Sequence, residues 1–84
     1  GEVCSAGSRV LVQKDIYRKF VDAAAAKAKT IRLGPGADRE TKMGPLVSAE
    51  QRDRVAGYLD VGRREAKVAV GGGRPKQFEK GWYV

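Results

Sequence analysis

Histidine is absent from the chain, and cysteine occurs once, as Cys4. Without imidazole, these residues alone assemble no His metal ligand and no Cys–His or Ser–His pair. A single thiol closes no internal disulfide, and nothing else in the composition calls for an oxidising compartment, so a cytoplasmic setting is expected. Aromatic residues number six of 84, which limits the core the chain builds alone at a length where one core is already marginal. No apolar run is long enough to span a bilayer and no signal peptide is visible, so no membrane partner is expected. An initiator Met is also missing. The chain begins "GEVC" and stops at "GWYV", inside a β-like segment, and reads as a piece cut from a longer protein.

Charge is plentiful: 17 Lys and Arg against 10 Asp and Glu leave a net +7. Nucleic-acid binders concentrate positive charge on one face or in a run. Here pure basic runs reach only two residues, as in "RR" at Arg63 and Arg64, and acids interleave almost everywhere, which fits a solvated surface and no nucleic-acid partner.

The pattern of apolar residues predicts an alternation of strands and helices. "RVLVQ" at residues 9–13 is a β-branched run suited to a strand buried on both faces. Asp15 stands as a helix N-cap, and Ile16, Phe20, Ala24, Ala28 and Ile31 then recur at helical spacing, with Tyr17 and Val21 widening the stripe. "GPG" at residues 34–36 ends that helix, and residues 34–47 form a connection long enough to suggest a surface role or a docking loop. Ser48 with Gln51 is a capping-box pattern that opens a second helix to about Ala66, with Val55, Tyr58, Leu59 and Ala66 on its apolar side. Gly57 and Gly62 weaken it, so tertiary packing is expected to hold it.

"KVAV" at residues 67–70 is a second strand candidate, the "GGG" of residues 71–73 is a turn, and "WYV" begins a third strand. Tyr17, Tyr58 and Tyr83 fall where a core or sheet expects an aromatic. The expected fold class is therefore α/β, in the order β-α-loop-α-β-loop-β with mainly parallel strands. Two helices cover one face of such a sheet. The other face, with Val10, Val12, Val68 and Val70, must be covered by self-association or by neighbouring molecules.

Cys4 is the residue with the most chemistry. Lone cysteines are usually buried packing, so residue type alone leaves two readings, apolar filler or nucleophile. Its neighbours decide. "GEVCSAGSRVLVQ" resembles the active-site segment of the NAD(P)-dependent aldehyde dehydrogenase superfamily, with Gly1, Glu2, Cys4, Ala6, Ser8 and Arg9 at the motif positions. "VQKDIYRKFV", "KAKTIRLG", "TKMGPLVS", "GYLDVGRREAK" and "VGGGRP" through "KGWYV" follow in the family's order, so the resemblance covers essentially all 84 residues. Collinear similarity of that extent is far more specific than the motif alone.

The resemblance implies a partial catalytic domain over residues 1–84, with the cofactor-binding domain absent. It implies that Cys4 is the nucleophile, adding to an aldehyde to give a thiohemiacetal, which becomes a thioester and is hydrolysed. The main-chain N–H of the cysteine contributes to the oxyanion hole in this family, so Cys4 acts twice. It further implies that Gln51 and Arg54 approach a ribose of NAD or NADP. At i and i+3 they share one helix face; the plain alternative is a capping residue beside a surface charge. Arg54 departs from the Lys often found there, and the two cations differ in reach and geometry.

Glu2 is a poor base for Cys4, because a neighbouring carboxylate raises a thiol pKa. The family's general-base Glu and oxyanion Asn precede this segment, a further cofactor-contacting Glu follows it, and no residue here matches them. Small-aldehyde substrates are implied, closest to amino-aldehydes such as betaine aldehyde, together with a homo-oligomeric parent. The competing class is a non-catalytic folded fragment or interaction module. A standalone thiol hydrolase or acyltransferase lacks a His or other evident base.

Overall fold

The computed structural model describes residues 2–84, so Gly1, the first position of the opening motif, lies outside the described residues. Two helices carry the fold: α1, Tyr17–Lys29, and α2, Ala49–Glu65. They make no packing contact with each other.

A 3-10 turn, Lys14–Ile16, leads into α1, and Ile16 occupies the cap position without any side-chain cap. The expected Asp15 cap is not formed. Asp15 sits inside the 3-10 turn, closed by the Ile16 N–H on the Gln13 carbonyl at 3.2 Å, which denies it the extended backbone a cap residue needs. "AAAA" in the body of the helix supplies the best available propensity.

The packed face of α1 is rotated from the expected stripe. Val21, Ala25 and Ala28 are half-buried, whereas Ile16, Phe20 and Ile31 are exposed and Tyr17 is 59% exposed. The helix ends at Lys29, short of "GPG". The Thr30 N–H and hydroxyl both donate to the Lys27 carbonyl, at 3.0 and 2.8 Å. Beyond it, the Arg32 carbonyl accepts from the N–H groups of Lys42 (2.8 Å) and Met43 (3.2 Å), so the backbone turns from helix to its own returning loop.

That loop lies largely on the surface and is braced by its own contacts. Arg32 reaches Asp38 at 3.4 Å and Glu40 at 3.8 Å, and the Asp38 carboxylate accepts the Glu40 N–H at 2.9 Å. Ser48 then takes an extended backbone, and its hydroxyl accepts the Gln51 N–H at 3.1 Å, as a helix cap does. Val55, Ala56 and Leu59 lie half-buried on the inner side of α2, while Tyr58 is 72% exposed and Ala66 is exposed. At the far end, Arg63 pairs with Asp60 and donates to the Gly72 carbonyl, pinning the glycine turn to the helix. Gly71 and Gly72 both have positive φ, 70° and 80°, as the turn reading requires.

Among the described residues, Tyr83 is the one large side chain that is buried, at 5% exposure. It stacks on Phe78 with ring centroids 4.0 Å apart and planes 16° from parallel. Gly81, φ +88°, makes that seat: a Cβ there would stand 2.7 Å from Tyr83 Cε2. Tyr83 alone of the three expected core tyrosines packs inside.

The three expected strands are not formed, so the β-α-loop-α-β-loop-β order is corrected to two helices joined by loops. Strand pairing among the described residues is limited to two isolated bridges, Leu33 with Met43 in parallel and Leu46 with Trp82 antiparallel. A strand exists only against a neighbouring backbone, and residues 9–13 and 67–70 run beside none that pairs with them. The expected two-helix cover of a sheet face falls with the sheet.

Candidate active site

Residues 2–13 form an arm without regular structure, interrupted once by a tight turn. The Ala6 N–H donates to the Val3 carbonyl at 3.0 Å, which places Cys4 and Ser5 at the two central positions. Small side chains suit the tip: Ser5 and Ala6 follow the thiol, and a Cβ on Gly7 would meet nothing within 4 Å. Cys4 is exposed and free. An exposed thiol at the apex of a turn is open to a planar carbonyl, the first requirement for nucleophilic addition.

Gln51 sits in the first turn of α2, positioned by the Ser48 cap on its own N–H. Its half-buried side chain lines an open hollow of about 430 Å³ whose apolar walls include Leu33, Met43, Val55 and Tyr83. Glu2 lines the same hollow, so the arm that carries Cys4 begins against the start of α2. Cys4 itself is not part of that lining. Arg54 is exposed, lies outside the hollow, and makes no ion pair among the described residues. The structure thus brings Glu2 to Gln51 and leaves Cys4 and Arg54 on open surface.

Two participants escape a reading of the sequence. Leu33 and Met43 become walls of the hollow because their backbones bridge, with the Gly34 N–H donating to the Met43 carbonyl at 3.2 Å. No local pattern announces that pairing. Arg52 lies half-buried with its guanidinium carbon 5.1 Å from the Trp82 ring centroid, a cation–π contact between α2 and the chain's last residues. The alternation of Arg52, Asp53 and Arg54 reads as solvated charge, so only the fold singles out Arg52. Among the described residues, no three Asp, Glu, Cys or His side chains gather as a metal site, and no helix is long and apolar enough to cross a membrane.

The family model described as the aldehyde dehydrogenase family matches residues 1–84. The chain is 45% identical over 87 residues to the betaine aldehyde dehydrogenase of Brucella ovis, an alignment covering 100% of this chain and 18% of that protein. Among solved structures, the NAD+ complex of an aldehyde dehydrogenase from Bacillus cereus superposes with a TM-score of 0.90 at 47% identity, covering 100% of this chain and 17% of that one. A betaine aldehyde dehydrogenase double mutant from Staphylococcus aureus, in complex with NAD+, gives a TM-score of 0.89 at 45% identity over 96% of this chain and 17% of its own. The chain therefore spans less than one-fifth of the length of these relatives.

Proposed function

Since the chain belongs to the aldehyde dehydrogenase family, we propose that it supplies the nucleophile-bearing part of the catalytic domain of a cytoplasmic enzyme that oxidises a small aldehyde to a carboxylic acid. The Cys4 sulfur, as thiolate, adds to the aldehyde carbon; a C–S bond forms and the carbonyl π pair moves to oxygen. The Cys4 N–H, at the turn, is the donor this chain offers to that oxyanion. The chemistry a bound NAD or NADP supplies is acceptance of the hydride from that carbon, which leaves a thioester on Cys4. Water then adds, the C–S bond breaks, and the acid leaves with the thiolate restored.

The residues present fit a share of that cofactor. A ribose hydroxyl needs a donor and an acceptor together, and the Gln51 carboxamide offers both at a hollow roomy enough for a sugar. Arg54, one turn along, adds an exposed cation suited to a diphosphate or an adjacent hydroxyl. The named substrate of the Brucella relative is betaine aldehyde, and an amino-aldehyde is the substrate class we assign.

The observation that carries this reading is the free, exposed thiol of Cys4 at a tight turn, in a chain that matches the family from end to end. The test is Cys4→Ala in a full-length enzyme carrying this segment. Turnover is expected to fall by roughly a thousandfold or more, as for loss of other covalent nucleophiles, with cofactor affinity changed by less than about threefold. Wild-type-like turnover by the variant ends the assignment. With no residue in it matching the family's general-base Glu, the isolated 84-residue chain is expected to oxidise no aldehyde.

A further inference from the structure

The face of α2 borders a second hollow, of about 280 Å³, to which neither Cys4 nor Gln51 contributes. Arg52, Ala56, Leu59 and Arg63 border it at i, i+4, i+7 and i+11, one face of the helix. The ring of Tyr83 and the turn at Gly72 and Gly73 bound its other sides. Arg74, next after that turn, adds a third guanidinium, and no Asp or Glu borders the hollow.

These cations are held in place. Arg52, half-buried, lies 5.1 Å from the Trp82 ring centroid and donates through Nε to Asp53 at 2.9 Å. Arg63 donates to the Asp60 carboxylate and the Gly72 carbonyl, and a Cβ on Gly73 would stand 3.9 Å from its Nη2. Arg74 makes no ion pair among the described residues and donates once, to the Glu79 carbonyl at 3.2 Å. A guanidinium has five N–H donors, so most remain open on all three. The N–H groups of Gly72, Gly73 and Arg74 donate to no backbone carbonyl among the described residues. Arg52 and Arg63 are separated by about 16 Å along the helix axis, so one small anion does not serve both. The stronger anionic end is at the turn, where Arg63 and Arg74 stand together.

We propose that this hollow binds a small phosphate monoester at a site separate from the cofactor hollow. The phosphate sits at Arg63, Arg74 and the glycine turn, and the apolar ester group lies along Ala56, Leu59 and Tyr83. A phosphate monoester carries a charge of about −2 and three terminal oxygens. That suits two guanidinium forks and a turn with unpaired N–H groups better than a carboxylate, with two oxygens and one charge. Drug-sized ligands fill clefts of about 300–1,000 Å³, so a hollow of about 280 Å³ takes a smaller molecule and excludes a dinucleotide. An apolar cover would strip water from three guanidinia, so the hollow favours an occupant that brings negative charge.

Calorimetry on a full-length enzyme carrying this segment, saturated with NAD+ in phosphate-free buffer, tests the proposal with butyl phosphate as the probe. Binding is expected with a Kd on the order of 1 mM or below. Inorganic phosphate is expected to bind about tenfold more weakly, for want of the apolar contact, and uncharged 1-butanol not at all. Arg74→Gln is expected to weaken butyl phosphate by about tenfold or more. Arg64→Gln, an equal loss of charge on exposed surface outside the hollow, is expected to weaken it by less than about twofold. Arg74 makes one surface hydrogen bond, so its variant is expected to melt within about 2 °C of wild type, which shows the loss to be local. No binding of butyl phosphate overturns the proposal, and so does equal weakening by Arg64→Gln. Binding that is lost at saturating NAD+ assigns the phosphate to the cofactor site and overturns it, as does inorganic phosphate that matches butyl phosphate. Cys4→Ala is expected to bind butyl phosphate as wild type does, so this site and the nucleophile assignment are read separately.

Discussion

Replacing Tyr83 by Ala removes the ring on which this part of the fold is centred. Tyr83 is 5% exposed, stacks on Phe78 at 4.0 Å, and lines the hollows on both sides of the inner face of α2. Truncating a packed aromatic to Ala costs about 3–5 kcal/mol. Because open hollows already flank this ring, neighbours have room to relax, and the lower end, about 3 kcal/mol, is expected. The stack on Phe78 accounts for about 1 kcal/mol of that. Tyr83→Phe keeps the ring and the stack and should cost less than about 1 kcal/mol.

The assay is thermal unfolding of a full-length enzyme carrying the segment. At roughly 2–4 °C per kcal/mol for a domain of 150–250 residues, Tyr83→Ala lowers the midpoint by about 6–12 °C. A double-mutant cycle of Tyr83→Leu with Phe78→Leu isolates the pair, with an expected coupling of about 0.5–1.5 kcal/mol. Two results refute the reasoning: a Tyr83→Ala midpoint within about 2 °C of wild type, or a Tyr83→Phe loss equal to that of Tyr83→Ala.

Other substitutions probe the remaining joints. Ser48→Ala removes the hydroxyl that caps α2 and is expected to cost about 1 kcal/mol by chemical or thermal unfolding, whereas Ser48→Asp restores the cap. Thr41 has a buried hydroxyl with no hydrogen-bond partner among the described residues, so Thr41→Val is expected to match or exceed wild-type stability in the same assay. Gln51→Ala is expected to weaken NAD(P) binding to the full-length enzyme by about 1 kcal/mol, roughly fivefold in Kd by calorimetry, through one lost hydrogen-bonding side chain. Gln51 affinity unchanged by that substitution removes it from the cofactor site.

How much of this was legible in the sequence depends on how local each signal is. The Ser48 cap, the body of α2 and the glycine turn at 71–73 are set by neighbours a few residues apart, and the structure has them as expected. Asp15 failed as a cap because a 3-10 turn competed for the same residues, a choice decided by backbone hydrogen bonds that side-chain type does not report. The "RVLVQ" and "KVAV" runs failed for a different reason. β-branched apolar runs record that a segment is fit to be buried in a sheet, and pairing depends on a partner distant in sequence.

The same limit explains the helix faces. Periodicity found a stripe on α1, but which flank packs is decided by the 67–69 stretch, which borders a hollow with Val21 and Ala25. Tyr58 was misjudged because only the fold distinguishes the inner side of α2 from the outer one. For the site, the sequence singles out Cys4 by motif; the turn that exposes it is a local one, closed by the Ala6 N–H on the Val3 carbonyl, whereas the hollow shared by Glu2 and Gln51 comes from non-local geometry.

The central claim is that a covalent intermediate forms on Cys4. The direct measurement is peptide mass spectrometry of a full-length enzyme carrying the segment, acid-quenched during turnover of an aldehyde with NAD(P). The account predicts the mass of the acyl group on the peptide containing Cys4, present only when aldehyde and cofactor are both supplied, and absent from Cys4→Ala. An acyl group on another residue, or turnover by Cys4→Ala at the wild-type rate, contradicts it.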